Sequence, residues 1–533
     1  MTDREETADF VVIGAGSTGA IVAARLAEAG FDTILAEAGP RDLNPWIHVP
    51  LGFGKAFLNP RLTWPYEVEG GPGVNDRRIF QPRGRVLGGT GAVNGMTYMR
   101  GAPQVYDSWG PGWTHADLLP FFRKAEANSM GASLAHGGDG PIHVSSLPDH
   151  PLMEVFARAA TAQGAPRRTD FNGDGQLGVG PFQFTLHRGR RSNSATGYLR
   201  PRPAKLRVLT HCQAERLEIR AHKVTGVLCR RHGAALRLQA RREVILSAGT
   251  FATPQLLQLS GIGPGALLQG LGLGTVLDRP EVGQNVQDHF ETRVICRTSL
   301  RPTVNETYAN PLRRMLMGMD YLVRRKGFMA GPGTLGGGFF RLAEGEGLPD
   351  LQLNLGIWTT SASGPGSGAP LLDAFPAYRM TLVDLAPDAR ATVTITSPDA
   401  TTLPRIRADF LQSERDRHAM VAAMRLGRSL AATAPLSDVT LAETVPGRDA
   451  ATDADLLDYC RREGRPNFHA VGSCRMGEDA GAVVDSRLRL RGLDGLRIAD
   501  ASIMPRIPNA NTNAACMAIG EKAAAMIAAE ARV

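Results

Sequence analysis

Two kinds of residue in this chain have types and spacings suited to chemistry. The first is the turn Gly14-Ala15-Gly16-Ser17-Thr18-Gly19, a GxGxxG pattern. In such a turn Gly14 permits the tight bend, Gly16 lets a pyrophosphate approach the backbone, and Gly19 lets helix and strand pack closely. The helix behind it offers unpaired N–H groups and a positive dipole end to the same phosphates, with Ser17 and Thr18 at its start. Glu37, followed by Ala38, lies 18 residues past Gly19. A carboxylate there accepts hydrogen bonds from ribose hydroxyls and repels a 2′-phosphate, which leaves FAD or NAD and disfavours NADP. The second kind is histidine, largely neutral at physiological pH and therefore a general-base candidate. Of twelve histidines, His136, His143, His150 and His222 sit in polar or Gly-rich surroundings and read as surface residues. His469 differs, lying in Asn467-Phe468-His469-Ala470-Val471-Gly472-Ser473-Cys474-Arg475-Met476-Gly477.

These groups need elements to hold them. Residues 10–13 form an apolar run into the glycine turn, and Ile21, Val22, Leu26 and Ala29 then recur at helical spacing up to Gly30, so strand, turn and helix are expected, with a second strand over 33–36. Residues 84–101 hold too many glycines for a stable regular element, yet Val86, Leu87, Val93 and Met96 need burial, so this loop should bring backbone against something flat or anionic. A strand over 244–247 leads through Ala248-Gly249-Thr250 to an apolar helix expected to start at Thr253-Pro254 and end at Ser260-Gly261. A strand over 496–499 runs into Asp500-Ala501-Ser502, and Asn511-Thr512-Asn513 precedes a final helix over about 514–528, with Asn513 as its expected cap.

Composition narrows the class. The chain has 533 residues, 43% hydrophobic and 21% charged, which is globular and long enough for more than one domain. The net charge of +8 comes from scattered pairs such as Arg190-Arg191 and Arg230-Arg231, a solvated basic surface without the aromatic interleaving that nucleic acid would call for. The acidic start lacks the basic and apolar regions of a signal peptide, and no apolar run reaches the roughly 18 residues of a membrane span, so no integral membrane segment and a cytoplasmic location are expected. Cys212, Cys229, Cys296, Cys460, Cys474 and Cys516 show no CxxC pairing and no histidine at metal spacing, so they read as ordinary thiols and no metal is expected.

With these segments in place the chain resembles the glucose-methanol-choline (GMC) family of FAD oxidoreductases from about Asp9 to the last helix. Two characteristic stretches, 84–107 and 249–263, look complete, and 280–289, Pro-Glu-Val-Gly-Gln-Asn-Val-Gln-Asp-His, is similar to a third. The resemblance implies an α/β chain, α+β overall. A Rossmann-like FAD-binding domain would take residues 1–160, 201–290 and 475–533, and a substrate domain with an antiparallel sheet flanked by helices 161–200 and 291–474. FAD would be held by the N-terminal turn and Glu37-Ala38, with Arg85, Val86, Gly89, Gly91, Asn94, Gly95, Met96 and Thr97 along the flavin. Ala214 would lie near the adenine, with Ala248-Gly249, Asp500-Ala501 and Thr512-Asn513 completing the cradle.

The same resemblance implies oxidation of a small alcohol, with hydride passing to flavin N5 and His469 taking the hydroxyl proton. Asn511, eleven residues before Lys522, occupies the place of the family's second catalytic partner, and Phe468 and Asn467 would line the substrate site. Electrons would leave to oxygen, a quinone or a redox protein. Val93 stands where the family often has a histidine linked covalently to the flavin, so the FAD is expected to be non-covalent. Ala470 replaces a frequent proline, and Ala389-Arg390-Ala391 a frequent Ser-Arg-Gly, changes that touch no reacting group. Two other readings remain at this level: a GMC-fold hydroxynitrile lyase that uses FAD structurally, and a flavin-free nucleotide-binding protein.

Overall fold

The computed structural model describes residues 4–173, 175–342, 347–360 and 372–532. The outer ends of the expected cofactor-domain segments (1–3 and 533) and parts of the expected substrate-domain segments (174, 343–346, 361–371) lie outside the described residues. The chain opens with strand β1 (Arg4–Ile13), helix α1 (Gly19–Glu28) and strand β2 (Thr33–Ala36). The glycines of the turn are required by contact: a Cβ on Gly14 would meet Ser247 O at 2.4 Å, and one on Gly19 would meet Gly14 O at 2.0 Å. Strand β3 (Gly178–Pro181) follows much later, then β4 (Leu206–Leu209), β5 (Cys212–Arg220), β6 (Lys223–Arg231) and β7 (Ala234–Leu246).

Helix α2 (Gly249–Leu259) starts five residues before Pro254, which lies inside it rather than at its start. Pro254 lacks an N–H and leaves the carbonyl of Thr250 without its helical partner. Ser473 Oγ donates to that carbonyl at 2.6 Å, so the helix tolerates the interruption. Beyond it come β8 (Phe290–Thr298), α3 (Pro311–Arg324), β9 (Thr334–Phe340), β10 (Leu351–Gly356), β11 (Ala377–Asp384), β12 (Thr440–Val445), β13 (Arg465–Pro466), β14 (Leu496–Ile498) and α4 (Asn513–Glu530).

Two seven-stranded sheets organise this α/β chain. The first has the order β4-β2-β1-β7-β6-β5, with β14 beside β7. Its β4, β2, β1, β7 and β14 run parallel, and their ends are in register: Leu209 pairs Ala36, Ala36 pairs Ile13, Ile13 pairs Leu246, and Leu246 pairs Ile498. Every turn that follows therefore leaves from one edge, where open α/β sheets place their ligands. The second sheet, β12-β8-β11-β10-β9-β3 with β13 beside β8, is antiparallel throughout. Helix α4 packs on α1, where buried Glu521 accepts from Arg25, Lys124 and Tyr198. Residues 84–101 are not wholly irregular: a short strand at Arg83–Gly84 and a 3-10 turn at Gly89–Ala92 punctuate them.

His136 is buried rather than a surface residue. Its Nδ1 meets Glu126 at 2.7 Å and its Nε2 meets Asp170 at 2.8 Å, and Arg100 joins Glu126 at 2.8 Å. The flanking glycines suggested a loop, but that loop folds inward to satisfy two carboxylates. Hydrogen bonds to Asp170 and Glu126 raise the imidazole pKa to about 9; burial pushes Glu126 and Asp170 up, but their bonds to His136 together with the Arg100 guanidinium and further hydrogen-bond donors hold both below the usual carboxylate range. Replacing His136 by Leu should destabilise the fold by about 3–5 kcal/mol, because two buried carboxylates lose their shared partner. A raised histidine stabilises fully below its unfolded pKa, and that contribution disappears as pH rises through the folded value. The loss in thermal midpoint should therefore be large at pH 6 and shrink across pH 6.5–9; a pH-independent difference would contradict the assignment.

Candidate active site

The turns at the sheet edge and one face of the second sheet enclose a cavity of about 480 Å³, within the usual range of small-molecule sites. Helices α1, reached through Gly16-Ser17-Thr18, and α4, reached through Asn511-Thr512-Asn513, aim their N-termini into it with no side-chain cap, while the start of α2, which also lines it, gives its Gly249 N–H to Asp500. Uncapped helix starts present unpaired N–H donors and a positive dipole end. The site therefore has the donor set for a phosphate at one end and for developing negative charge at the other, as a dinucleotide such as FAD requires.

His469 sits at the junction of the two sheets. Phe468 before it adopts the left-handed φ of 62°, which turns the peptide so that the Phe468 carbonyl accepts from Arg83 Nη1 and the His469 N–H donates to Asp288 Oδ1 at 2.8 Å. Such strain in an aromatic residue persists only where the surroundings enforce it. The other Asp288 oxygen accepts from Gln81. The ring is held on both sides: Asn511 Nδ2 meets Nε2 at 3.1 Å, and His289 Nδ1 meets Nδ1 at 3.0 Å. Gln352 donates to Asn511 Oδ1 at 3.1 Å, which orients the amide so that its NH₂ faces the histidine.

These contacts fix the tautomer. An amide NH₂ only donates, so Nε2 of His469 is the acceptor, its proton lies on Nδ1, and His289 Nδ1 accepts it. Burial holds His289 down to about 3. Burial, with the fields of His289 and Arg83 added, puts His469 well below the ordinary histidine value. Burial also raises Asp288 to about 7, against the opposing pull of Arg83. The product is a neutral imidazole at the cavity wall whose Nε2 lone pair accepts from the Asn511 amide.

Gly14, Gly16, Ser17, Thr18, Glu37, Ala38, Gly89, Asn94, Gly95, Met96, Thr97, Ala214, Ala248, Gly249, Asp500, Ala501, Thr512, Asn513, Asn467, Phe468, His469 and Asn511 all line this one cavity. Gly19, Arg85, Val86 and Gly91 are absent from the wall. Gly19 is spent on packing, Arg85 lies over Trp64 at 4.3 Å, Val86 is buried among Ile47, Leu62 and Val93, and Gly91 gives its carbonyl to Arg191. Instead Arg83 and Gly84 reach the cavity. Asn513 is the first residue of α4 and caps nothing; its Oδ1 accepts from Ser17 Oγ at 2.6 Å, tying the two helix starts together. Asp500 accepts from Gly249 N, Thr253 Oγ1 and Ser502 N. Buried Glu37 accepts from Ala15 N and Gly39 N, and burial lifts it to about 7.

Four residues with positioning geometry escaped sequence reading. His289 ends the stretch 280–289 and carried that much signal; Gln352 and Arg83 carried none. Arg191 read only as half of a surface pair. It is buried, donates to Ile47 O, Gly91 O, Asn94 Oδ1 and Asn94 O, and has no acid among these partners.

Residues 8–291 and 387–520 match the two models of the GMC oxidoreductase family. An oxygen-dependent choline dehydrogenase of Paraburkholderia phymatum is 35% identical over 97% of this chain and 91% of its own length. An alcohol dehydrogenase (acceptor) of Pseudomonas putida is 34% identical over 97% and 95%. Among solved structures, pyridoxine 4-oxidase from Mesorbium loti superposes with a TM-score of 0.84 at 29% identity, covering 97% of this chain and 98% of that one. A variant of the Aspergillus oryzae RIB40 formate oxidase, studied for its FAD modification, superposes over the whole of both chains with a TM-score of 0.92 at 26% identity. All four are dehydrogenases or oxidases by name.

Because Arg191 holds the loop that carries Gly91 and Asn94 through a planar fork, Arg191→Lys should not substitute for it. The expected cost is roughly 2–4 kcal/mol from unsatisfied buried acceptors, seen as a lower thermal midpoint and faster hydrogen exchange across residues 93–97. Unaltered exchange in that segment would contradict the role.

Proposed function

The chain belongs to the GMC oxidoreductase family, and from that premise we propose that it oxidises the carbinol carbon of a small alcohol to a carbonyl, with His469 as the base. The observation that carries this reading is the neutral His469 imidazole at the cavity wall, its Nε2 lone pair accepting from the Asn511 amide. Bound FAD supplies the hydride acceptor. The two uncapped helix starts and the backbone around Gly16, Gly95 and Gly249 are the parts of this chain that would hold it; a Cβ at any of these glycines meets nothing within 4 Å, so the backbone there is open to a ligand.

The chain's own residues then divide the work. The alcohol hydroxyl enters between Asn511 and His469, donating its proton to Nε2 and accepting from Nδ2. As Nε2 takes the proton the ring becomes an imidazolium, and its Nδ1–H stays bonded to His289, which burial keeps neutral and able to accept. Asp288 and Arg83 fix both ends of the peptide that joins Phe468 to His469, which sets the direction in which the ring leaves the backbone. Phe468, with Phe57 edge-on at 4.9 Å, gives the carbinol region an apolar wall, and Asn467 lies beside it. Proximity and orientation of this kind account for most of what a positioned base contributes. The reading also includes a non-covalent FAD, since buried Val93 at the signature position has no nucleophilic nitrogen.

Anaerobic mixing of the holoprotein with alcohols should bleach the visible flavin band in proportion to alcohol consumed; no bleaching by any alcohol would refute the reading. His469→Ala should slow that reduction about 10²–10⁴-fold with FAD retained, and an unchanged rate would remove His469 from the mechanism. Because His469 titrates below 6.5, the reduction rate should hold from neutral pH down past 6.5 and fall only at more acid pH. A loss centred at or above 6.5 that persists in Asp288→Asn would contradict this. Acid precipitation should release the flavin into the supernatant, and flavin left on the pellet would show a covalent bond.

A further inference from the structure

The antiparallel sheet that walls the substrate side of the cavity carries an unbalanced charge. In register, Arg379 of β11 stands opposite Gly356 of β10, Thr381 opposite Asn354, and Val383 opposite Gln352. Side chains two apart share a face, and Arg379, Thr381 and Asn354 all line the cavity. Gly356 leaves room for the guanidinium to lie across the sheet: a Cβ there would sit 3.3 Å from Arg379 Nε and 3.4 Å from Nη2. The group stacks over Trp358 at 3.9 Å. Among the described residues its buried Nε has no hydrogen-bond partner, and the one acid there whose field favours its charge, Glu291, is already bonded to Arg465 at 2.7 Å. Arg293 and Arg465 oppose it with like charge.

A half-buried guanidinium with its Nε unpartnered and no acid of its own among the described residues is costly, and its planar fork matches a carboxylate bidentately. Resting on the alcohol-oxidation reading, we propose that the substrate is a hydroxy acid whose carboxylate is received by Arg379 while its carbinol carbon lies between His469 and Asn511. Arg379 lies four residues along β11 from the position facing Gln352, the residue that orients Asn511. Four residues of strand span about 13 Å, so the carboxylate and carbinol are several bonds apart, as across an aromatic ring, and an α-hydroxy acid is too short. A cationic amino alcohol is disfavoured by the same charges.

The test is anaerobic flavin reduction by para-(hydroxymethyl)benzoate, benzyl alcohol and para-(aminomethyl)benzyl alcohol. The expected order places the acid about tenfold or more ahead of the neutral alcohol in reduction rate over dissociation constant, and the amine last. In Arg379→Met the acid-to-neutral ratio should fall towards one through weaker binding, and Arg379→Lys should restore part of it. Equal use of acid and neutral alcohol, or a ratio that Arg379→Met leaves intact, overturns the proposal while the alcohol reading stands. Bleaching by none of the three while other alcohols still bleach the flavin overturns the proposal alone, and bleaching by no alcohol overturns both.

Helix α3 carries an independent signal. Tyr321 faces inward, its hydroxyl donating to Gly189 O at 3.1 Å. On the opposite side Leu312, Met315, Leu316, Met319, Leu322 and Val323 are 52–81% exposed, a single apolar stripe at helical period. Arg313, Arg314, Arg324, Arg325 and Lys326 accompany the stripe, against Asp320, which pairs with Arg324, and Glu306, which lies 3.9 Å from Arg313, so the basic charge stays in excess. A second copy docked on this face would oppose two basic sets, whereas an anionic bilayer satisfies both the apolar stripe and the charges. The geometry points to α3 as a seat on an anionic lipid surface. The turn after it, Phe328–Ala330, packs on Pro50–Gly52 next to Phe53 and Phe57 of the cavity wall.

Holoenzyme should sediment with phosphatidylglycerol/phosphatidylcholine vesicles, far less with phosphatidylcholine alone, and be released by salt. The double variant Leu316→Glu/Leu322→Glu, altered only at exposed positions, should lower binding about tenfold or more with its fold intact by circular dichroism. Failure to sediment with anionic vesicles, or equal binding by the variant, overturns the proposal. So does a vesicle-free dimer that the variant dissociates, which would give the face to a second copy.

Discussion

The site depends first on five strands that end level with one another. Leu209, Ala36, Ile13, Leu246 and Ile498 stand side by side across β4, β2, β1, β7 and β14, so segments far apart in sequence turn off the sheet at one edge. A slip of one residue in any strand would reverse its inward and outward faces and lift its turn out of line. Gly14 then approaches Ser247 because β1 and β7 finish together, and Asp500 reaches Gly249 and Thr253 because β14 finishes beside β7.

Desolvation does two different jobs in this molecule. Around His469 and His289 it removes charge: neither ring meets a carboxylate side chain, so burial keeps both neutral and leaves a lone pair for chemistry. Around His136 it does the reverse, because two carboxylates within hydrogen-bond reach outweigh burial and keep the ring protonated. Arg191 marks a third case, a buried cation held by neutral oxygens; burial lowers it to about 9 and it keeps its charge near neutrality.

The N-terminal turn, the loop 84–101, the start of α2, the segment around His469 and the approach to α4 were all legible in the sequence, because each is a local pattern whose glycines, prolines or apolar spacing carry meaning without the rest of the chain. What was not legible came from pairing between distant elements. Gln352 bears on Asn511 only because β10 faces the start of α4, and no local pattern at residue 352 announces that. Arg83 and Arg85 are two residues apart and would share a face of an extended strand, but the strand ends at Gly84, so only Arg83 reaches the cavity while Arg85 lies over Trp64, and no local pattern separates them. The glycine-rich flanks of His136 mark a turn but do not say which way it folds, and only Glu126 and Asp170, which lie outside that turn, draw it inward. The start of α2 was set at Pro254 by the general preference for proline in a first turn, which Ser473, from another part of the chain, overrides.

The hydrogen bond between Ser17 and Asn513 joins residues 496 positions apart and ties together two helix starts that open onto the cavity. At synthesis rates of about 5–20 residues per second, the glycine turn at the front of the chain waits roughly 25–100 s before its partner exists. During that interval α1 lacks the face that α4 covers, and the cavity lacks His469, Asn511 and β14. Assembly of the site is thus tied to completion of translation, and the time in which the first sheet lies half-covered is set by the length of everything inserted between its strands.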